Sequence, residues 1–380
     1  MLASISPFSR SFLLVLLSSA LITACNSSDT TSSSSGLDTG AVALLITDAP
    51  TSAYDEINVV TEQVTLIGEG RGKEAHLMTK TVIFNLLDLR NTFRRLSKCK
   101  APVGTYNRVR FRIKDVELVK YRPDGKHNRK HAHLKKKLID LTARKQFAVS
   151  RHHKLVVKLD LDADKSLETD PTTGEPVLDP ETGDPVFDPD ATVDTDEVPT
   201  DTDVPPQKVT PVLMNQLGVL RNPQSDSFQL CDPDLLDDCV QVNVTPDTAL
   251  MNSTLTDPVG IEAITENTQV QVFGHLDVTT DTIDALRVLQ WSTRLKTYTG
   301  TLSVDVVNDS IDLNITAGSE AGRTYPVTSV SQSGAGVYDS AGNVLDASAL
   351  SDGDNVEVIG ILNTFPAPGL QPGAIIISVP

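Results

Sequence analysis

Within the run from Tyr106 to Tyr121, the chain alternates strictly from Arg108 to Lys114. Val109, Phe111 and Ile113 fall on one side, and Arg108, Arg110, Arg112 and Lys114 on the other. Side chains alternate with a period of two only in an extended strand, so this run can be little other than a long strand buried on one face. Leu155, Val157, Leu159 and Leu161 repeat the pattern, with Lys154, Lys158, Asp160 and Asp162 opposite. Ala41 to Ile46 is a continuous apolar strand, stopped at Thr47-Asp48-Ala49-Pro50, where proline cannot donate to a ladder. Residues 57–67 and 81–89 are further strand candidates. Helical periods are scarce, and Gly and Pro each occur 22 times. These features predict an all-β protein with several small cores.

Charge divides the chain. Arg71 to Lys158 holds 25 Lys/Arg against 6 Asp/Glu, whereas Leu167 to Pro206 holds 13 Asp/Glu and no Lys/Arg. From Gln207 onward there are 6 basic and 21 acidic residues, so the net charge of -17 is a poor guide to partners. The acidic stretch contains a nine-residue repeat, Gly174 to Thr182 and Gly183 to Ala191. It is rich in Asp and Pro and poor in apolar residues, and is expected to be a disordered insert over 167–206.

The N-terminus reads as an export signal. Arg10 precedes an apolar run, Phe12 to Leu21, too short to span a bilayer and followed by Ile22-Thr23-Ala24-Cys25. Small residues before a cysteine resemble a bacterial lipoprotein signal, which implies lipidation of Cys25 and a membrane partner through that lipid. Asn26 at the next position favours the outer membrane, with its face open. Asn26 to Thr39 is a Ser/Thr-rich tether.

Three blocks carry a resemblance. The strand ending in Ile46-Thr47-Asp48-Ala49-Pro50, the turn Pro102-Val103-Gly104-Thr105-Tyr106, and Leu159-Asp160-Leu161-Asp162-Ala163-Asp164-Lys165-Ser166 are similar to the family termed domain of unknown function 4382. That resemblance implies a prealbumin-like β-sandwich over 40–216, interrupted by the insert and closed by a strand at Val209 to Leu213. It implies no catalytic residues. Further on, Gln269-Val270-Gln271-Val272-Phe273-Gly274 recurs as Asn355-Val356-Glu357-Val358-Ile359-Gly360, and Leu217-Gly218-Val219-Leu220 corresponds to Thr299-Gly300-Thr301-Leu302. These repeats resemble domain of unknown function 5666 and imply two small β-barrels, over 217–297 and 298–380.

Candidate chemistry is thin. Arg108, Arg110, Arg112 and Lys114 form a cationic ladder with three readings: a solvated face, a site for anionic polysaccharide or lipopolysaccharide, or a seat for the acidic insert. Nucleic acid is disfavoured for want of stacking aromatics. His131, His133 and His153 are either part of a solvated basic loop or ligands for a transition metal, which neighbouring lysines would repel. Asp160, Asp162 and Asp164 lack the Gly and Glu of a calcium loop, leaving weak calcium binding to the insert or to the 231–239 loop. In an oxidising envelope Cys231 and Cys239 are expected to pair. Cys99 reads as a buried thiol rather than a nucleophile. No cofactor is implied and no enzyme motif occurs. The expectation is a non-enzymatic, lipid-anchored envelope protein that binds or scaffolds. The alternative is an accessory metal- or carbohydrate-binding protein of a transport or secretion system.

Overall fold

The computed structural model describes residues 38–49, 54–69, 73–122, 126–200, 212–233, 238–255, 259–292, 295–305, 310–328, 335–340, 342–363 and 369–378. The signal, Cys25 and tether residues 26–37 lie outside them. The architecture is all-β, as the alternation predicts, with one short α-helix among the described residues, α1 (Ala163–Ser166).

The N-terminal unit comprises β1 (Thr39–Ala49), β2 (Glu56–Gly68), β3 (Glu74–Met78), β4 (Val82–Asn85), β5 (Arg94–Pro102), β6 (Gly104–Tyr121), β7 (His127–His131), β8 (His133–Leu134), β9 (Leu138–Val149), β10 (His153–Asp162), β11 (Val186–Phe187) and β12 (Asp190–Pro199). One sheet runs β12-β10-β1-β5, with β1 and β10 parallel. The other is built on β3-β2-β6-β7, with β4 beside β2 and β9 beside β6. Their inner faces share one core that includes Val42, Leu44, Val109, Phe111, Leu155 and Val157. The outward residues Leu45 and Val156 of the first sheet are also buried, in the core of the next module. Burial on both faces is why Ala41 to Ile46 is apolar throughout rather than alternating.

The acidic insert departs from its expected disorder over 167–200. Two turns nine residues apart, the repeat's spacing, each close on an aspartate. Asp170 Oδ1 accepts the Thr172 and Thr173 amides at 2.8 and 3.0 Å, and Asp179 Oδ1 accepts those of Glu181 and Thr182 at 3.1 and 2.8 Å. Gly174 and Gly183 supply the positive φ, +70° and +73°, that each turn needs. Val177 N bonds Glu168 O and Val186 N bonds Val177 O, so the rungs stack. Fully buried Phe187 pins the end of the stack in the sandwich core, and β12 then pairs antiparallel with β10 over its whole length. Locally satisfied hydrogen bonds and an existing strand edge make up for the shortage of apolar residues. β12 thus takes the place expected for Val209 to Leu213. Residues 209–211 lie outside the described residues, and Val212 and Leu213 belong to the following module.

That module contains β13 (Val212–Arg221), β14 (Ser227–Cys231), β15 (Cys239–Asn243), β16 (Ala249–Met251), β17 (Gln269–Asp277) and β18 (Thr282–Gln290). The order β15-β14-β13-β17-β18 closes through a β15–β18 pairing into a five-stranded barrel. The last module holds β19 (Leu295–Asp305), β20 (Ser310–Ile315), β21 (Thr324–Val327), β22 (Gly336–Asp339), β23 (Val344–Leu345), β24 (Asn355–Asn363) and β25 (Gly369–Ile377). Its order β21-β20-β19-β24-β25 forms a ring-like sheet, joined by a parallel β21–β25 pairing. The two modules repeat one topology. Both carry a register shift at the glycine of the repeated strand, Gly274 and Gly360. A Cβ on Gly274 would stand 2.4 Å from Asp284 O and one on Gly360 2.5 Å from Gln371 O, which accounts for the Val-x-Val-x-Gly pattern.

The modules are not beads on a string. Met214 and Leu220 of the barrel share a core with Leu45 and Val156 of the sandwich. Phe273 and Leu289 of the barrel pack with Tyr338, Ile359 and Ile376 of the ring-like sheet.

Candidate functional site

The cationic ladder lies on the outer face of the second sheet, opposite Val109, Phe111 and Ile113, and its neighbours partly neutralise it. Arg110 grips Asp140 with two bonds of 2.7 and 3.0 Å and approaches Glu74 at 3.6 Å. Arg108 reaches Asp140 at 3.7 Å and Lys114 reaches Glu62 at 4.0 Å. The guanidinium of Arg110 holds the Asp140 carboxyl below its usual range. Arg112 is exposed beside them. Among the described residues, the ladder's ion-pair partners are Asp140, Glu74 and Glu62 rather than acids of the insert. The insert's Glu168 and Asp188 pair with Lys135 and Lys136 just beyond β8, and Asp196 of β12 pairs with Lys158 at 2.6 Å.

The three histidines are not brought together. His131 on β7 bonds Asp115 at 2.8 Å, His133 on β8 faces Asp179 at 3.7 Å, and His153 on β10 meets Ser150 at 3.3 Å. Among the described residues no three His, Cys, Asp or Glu side chains are grouped to hold a metal. Asp162 caps α1 by accepting the Lys165 amide, which explains part of the Asp-x-Asp-x-Asp spacing without a cation. Cys99 is half-buried against the sandwich core.

Cys231 and Cys239 are disulfide-bonded as direct partners across β14 and β15. The acids at the ends of their loop face the basic unit. Arg95 reaches Asp238 at 2.9 Å and Asp281, in the β17–β18 turn, at 3.0 Å. Lys98 reaches Asp281 at 2.8 Å and Arg94 reaches Asp232 at 3.7 Å. Arg95 and Asp281 have side chains only 6% and 5% exposed, so this is a buried clamp rather than a surface pair. A second buried group links sandwich and ring. Asp48 accepts the Ala163 amide at 3.0 Å, thereby joining two of the blocks that carry the family resemblance. Arg90 lies beside Asp48 and hydrogen-bonds Thr299, and Glu357 of β24 is close enough to interact with it. Burial pushes the Asp48 carboxyl up to about 8 and that of Glu357 up to about 7, against the pull of Arg90.

A cleft of about 310 Å³ opens where sandwich, barrel and ring meet. Tyr54, Trp291 and Tyr298 supply aromatic walls, and Asn58, Asn85 and Gln271 supply amides. Asp88 stands at its floor. Burial raises its carboxyl to about 6, against hydrogen bonds from Asn85 and Thr297. Gln271 Nε2 donates to Asn215 Oδ1 at 2.7 Å and Asn215 Nδ2 donates to Asp88 O at 2.8 Å, which fixes the amides in orientation. Asp55 accepts the Tyr121 and Ser319 amides, both at 2.7 Å, so one carboxylate ties the ring to the sandwich at the cleft's edge. Desolvation lowers the Lys296 ammonium, which sits over the Tyr121 ring. Sequence reasoning missed this site because its walls come from three modules. The available signals were the charges inside Leu86-Leu87-Asp88-Leu89-Arg90 and the single tryptophan.

A sandwich joined to two ring-closed β-modules defines the class: a multi-module β-protein with a cleft at the junction. Residues 39–180 match the family described as Domain of unknown function (DUF4382). This segment ends before β12. No curated protein matches the chain.

Proposed function

We propose that the protein is a non-enzymatic lipoprotein of the cell envelope, anchored at the outer membrane through Cys25, whose basic edge binds anionic glycans or lipopolysaccharide. The observation that supports this reading is the surplus of exposed cations on β6, β7 and β9. Arg108 to Lys145 holds 14 Lys/Arg against 4 Asp/Glu, and the pairs to Glu62, Glu74, Glu168 and Asp188 leave cations in excess. Lys120, Lys130 and Lys137 are exposed on this edge. Phe111 and Phe147 are buried, so the edge lacks the stacking faces that single-stranded nucleic acid requires. A tether of 14 residues would hold this edge roughly 20 Å from an anionic lipid surface.

The test is binding of purified lipopolysaccharide and alginate, with dextran as the neutral control, across a salt series. Binding to the anionic polymers should weaken as salt rises and fall in a Lys120→Glu, Lys130→Glu, Lys137→Glu variant. Binding that ignores salt, or equal binding of dextran, refutes the polymer reading. Metabolic labelling with palmitate, lost in Cys25→Ala, tests the anchor.

A further inference from the structure

The junction cleft has the makings of a second, independent site. Three properties constrain what it could hold. Its volume, about 310 Å³, lies at the lower end of the range for small-molecule pockets, so the occupant is one or two rings in size. Its walls pair half-buried aromatic faces (Tyr54, Trp291, Tyr298) with amides already oriented by the Gln271–Asn215–Asp88 relay. Its carboxylates are held by fixed donors. Asp55 is set by two backbone amides, Glu56 by the Tyr121 hydroxyl, and Glu320 by the Tyr325 hydroxyl and Arg323.

Charge then selects among ligands. Asp55, Glu56, Asp88 and Glu320 line the cleft, and of the three cations among its described lining residues two already have partners: Arg90 bonds Thr299, and Arg94 bonds Asp232 and Ile83 O. A phosphate or carboxylate would meet more acids than available cations. A ring with apolar C–H faces and hydroxyls, each both donor and acceptor, matches flat aromatics beside pre-oriented amides and carboxylates. We propose that the cleft between sandwich, barrel and ring binds an uncharged mono- or disaccharide. The proposal rests on the cleft alone and stands or falls separately from the basic edge.

Trp291 is the only tryptophan in the chain and lines this cleft, so its fluorescence reads occupancy directly. The full-length protein would be titrated with glucose, galactose, N-acetylglucosamine, maltose and cellobiose, with glucuronate and spermidine as charged arms. At least one neutral sugar should give a saturable change with a Kd of about 1 mM or tighter, insensitive to salt. Glucuronate should bind at least about tenfold more weakly. Gln271→Ala should weaken the sugar by about tenfold while the urea unfolding midpoint holds. Trp291→Phe, followed by calorimetry, checks that the optical signal is binding. Absence of any saturable response to these sugars at about 100 mM overturns the proposal, as does a response to spermidine alone, which would mark an amine site.

Discussion

The clamp between Arg95 and Asp281 offers a sharp test of how the modules are joined. Asp281 has a φ of +61°, a backbone region that Asn and Asp tolerate far better than other non-glycine residues. Asp281→Asn therefore removes the charge with the geometry kept, whereas Ala would add backbone strain. At 3.0 Å the Arg95–Asp281 attraction is ~5 kcal/mol for an effective dielectric of 20, before desolvation is subtracted. Deleting one partner of a buried pair costs ~3–5 kcal/mol, because the other charge is left uncompensated. Asp238 still holds Arg95 at 2.9 Å, so the expected loss is about 3 kcal/mol, at the lower end of that range. Urea unfolding followed by Trp291 fluorescence would measure it. The pH dependence adds a second constraint. Burial would raise the Asp281 carboxyl, but Arg95, Lys98 and Lys154 outweigh it and hold it below its usual range. A depressed folded-state pKa stabilises fully above the unfolded value of ~3.9 and is lost as pH falls through the folded one. The gap between wild type and Asp281→Asn should therefore be constant from neutral pH down to about 5 and shrink as pH falls further, below the unfolded value. A gap under about 1 kcal/mol at pH 7, or one that persists undiminished at pH 2, would refute the clamp.

Other outcomes follow from the same structure. Cys231→Ser with Cys239→Ser opens a loop of sequence separation 8 and should cost about 2–3 kcal/mol by loop-closure entropy; it should also weaken the docking of Arg94 and Arg95, read by limited proteolysis between the modules. Asp48 has a folded-state pKa raised from 3.8 to about 8, so its folded form binds a proton that the unfolded chain releases. Its contribution to stability is greatest below about pH 4 and declines up to about pH 8, and Asp48→Asn should flatten that slope in thermal melts taken across this window. Phe187→Ala, which empties a fully buried site, should cost about 3–5 kcal/mol by urea unfolding, an effect a disordered insert would not show. Deleting the nine residues that hold one of these turns, Asp170 to Leu178, should leave a folded, soluble chain, whereas deletion through Pro199 removes β12, bares the β10 edge and should aggregate by light scattering.

Legibility in the sequence followed how local each determinant is. The alternation at Arg108 to Lys114 and the Val-x-Val-x-Gly repeat are local, and both became strands, the first with its apolar residues buried and its cations on the other face. The insert was misread because a composition rule counts apolar residues per segment. It does not see that Asp170 and Asp179 close their own turns, nor that β10 offers an open edge. The cleft was illegible because Tyr54 and Asp88 are some 200 residues from Trp291 and Tyr298 and meet them only when three modules dock. The histidines show the opposite case. Near in sequence, they were separated onto different strands with different partners.

The divided charge of this chain has a structural explanation that the net charge conceals. A basic first unit and acidic later modules would attract one another weakly in water, where exposed pairs are worth ~0–1 kcal/mol each. What makes the attraction count is where a few of the charges sit. Arg95 and Asp281 are desolvated at a junction that also buries Leu45, Val156 and Met214, so the apolar contact supplies most of the energy while the charges determine which faces can meet. The insert works by the same division of labour. Phe187 and β12 hold it in place, and Glu168 and Asp188 match it to Lys135 and Lys136. Residues such as Lys120 and Lys130 lie outside both contacts, which is why the surplus positive charge faces outward from one edge of the molecule.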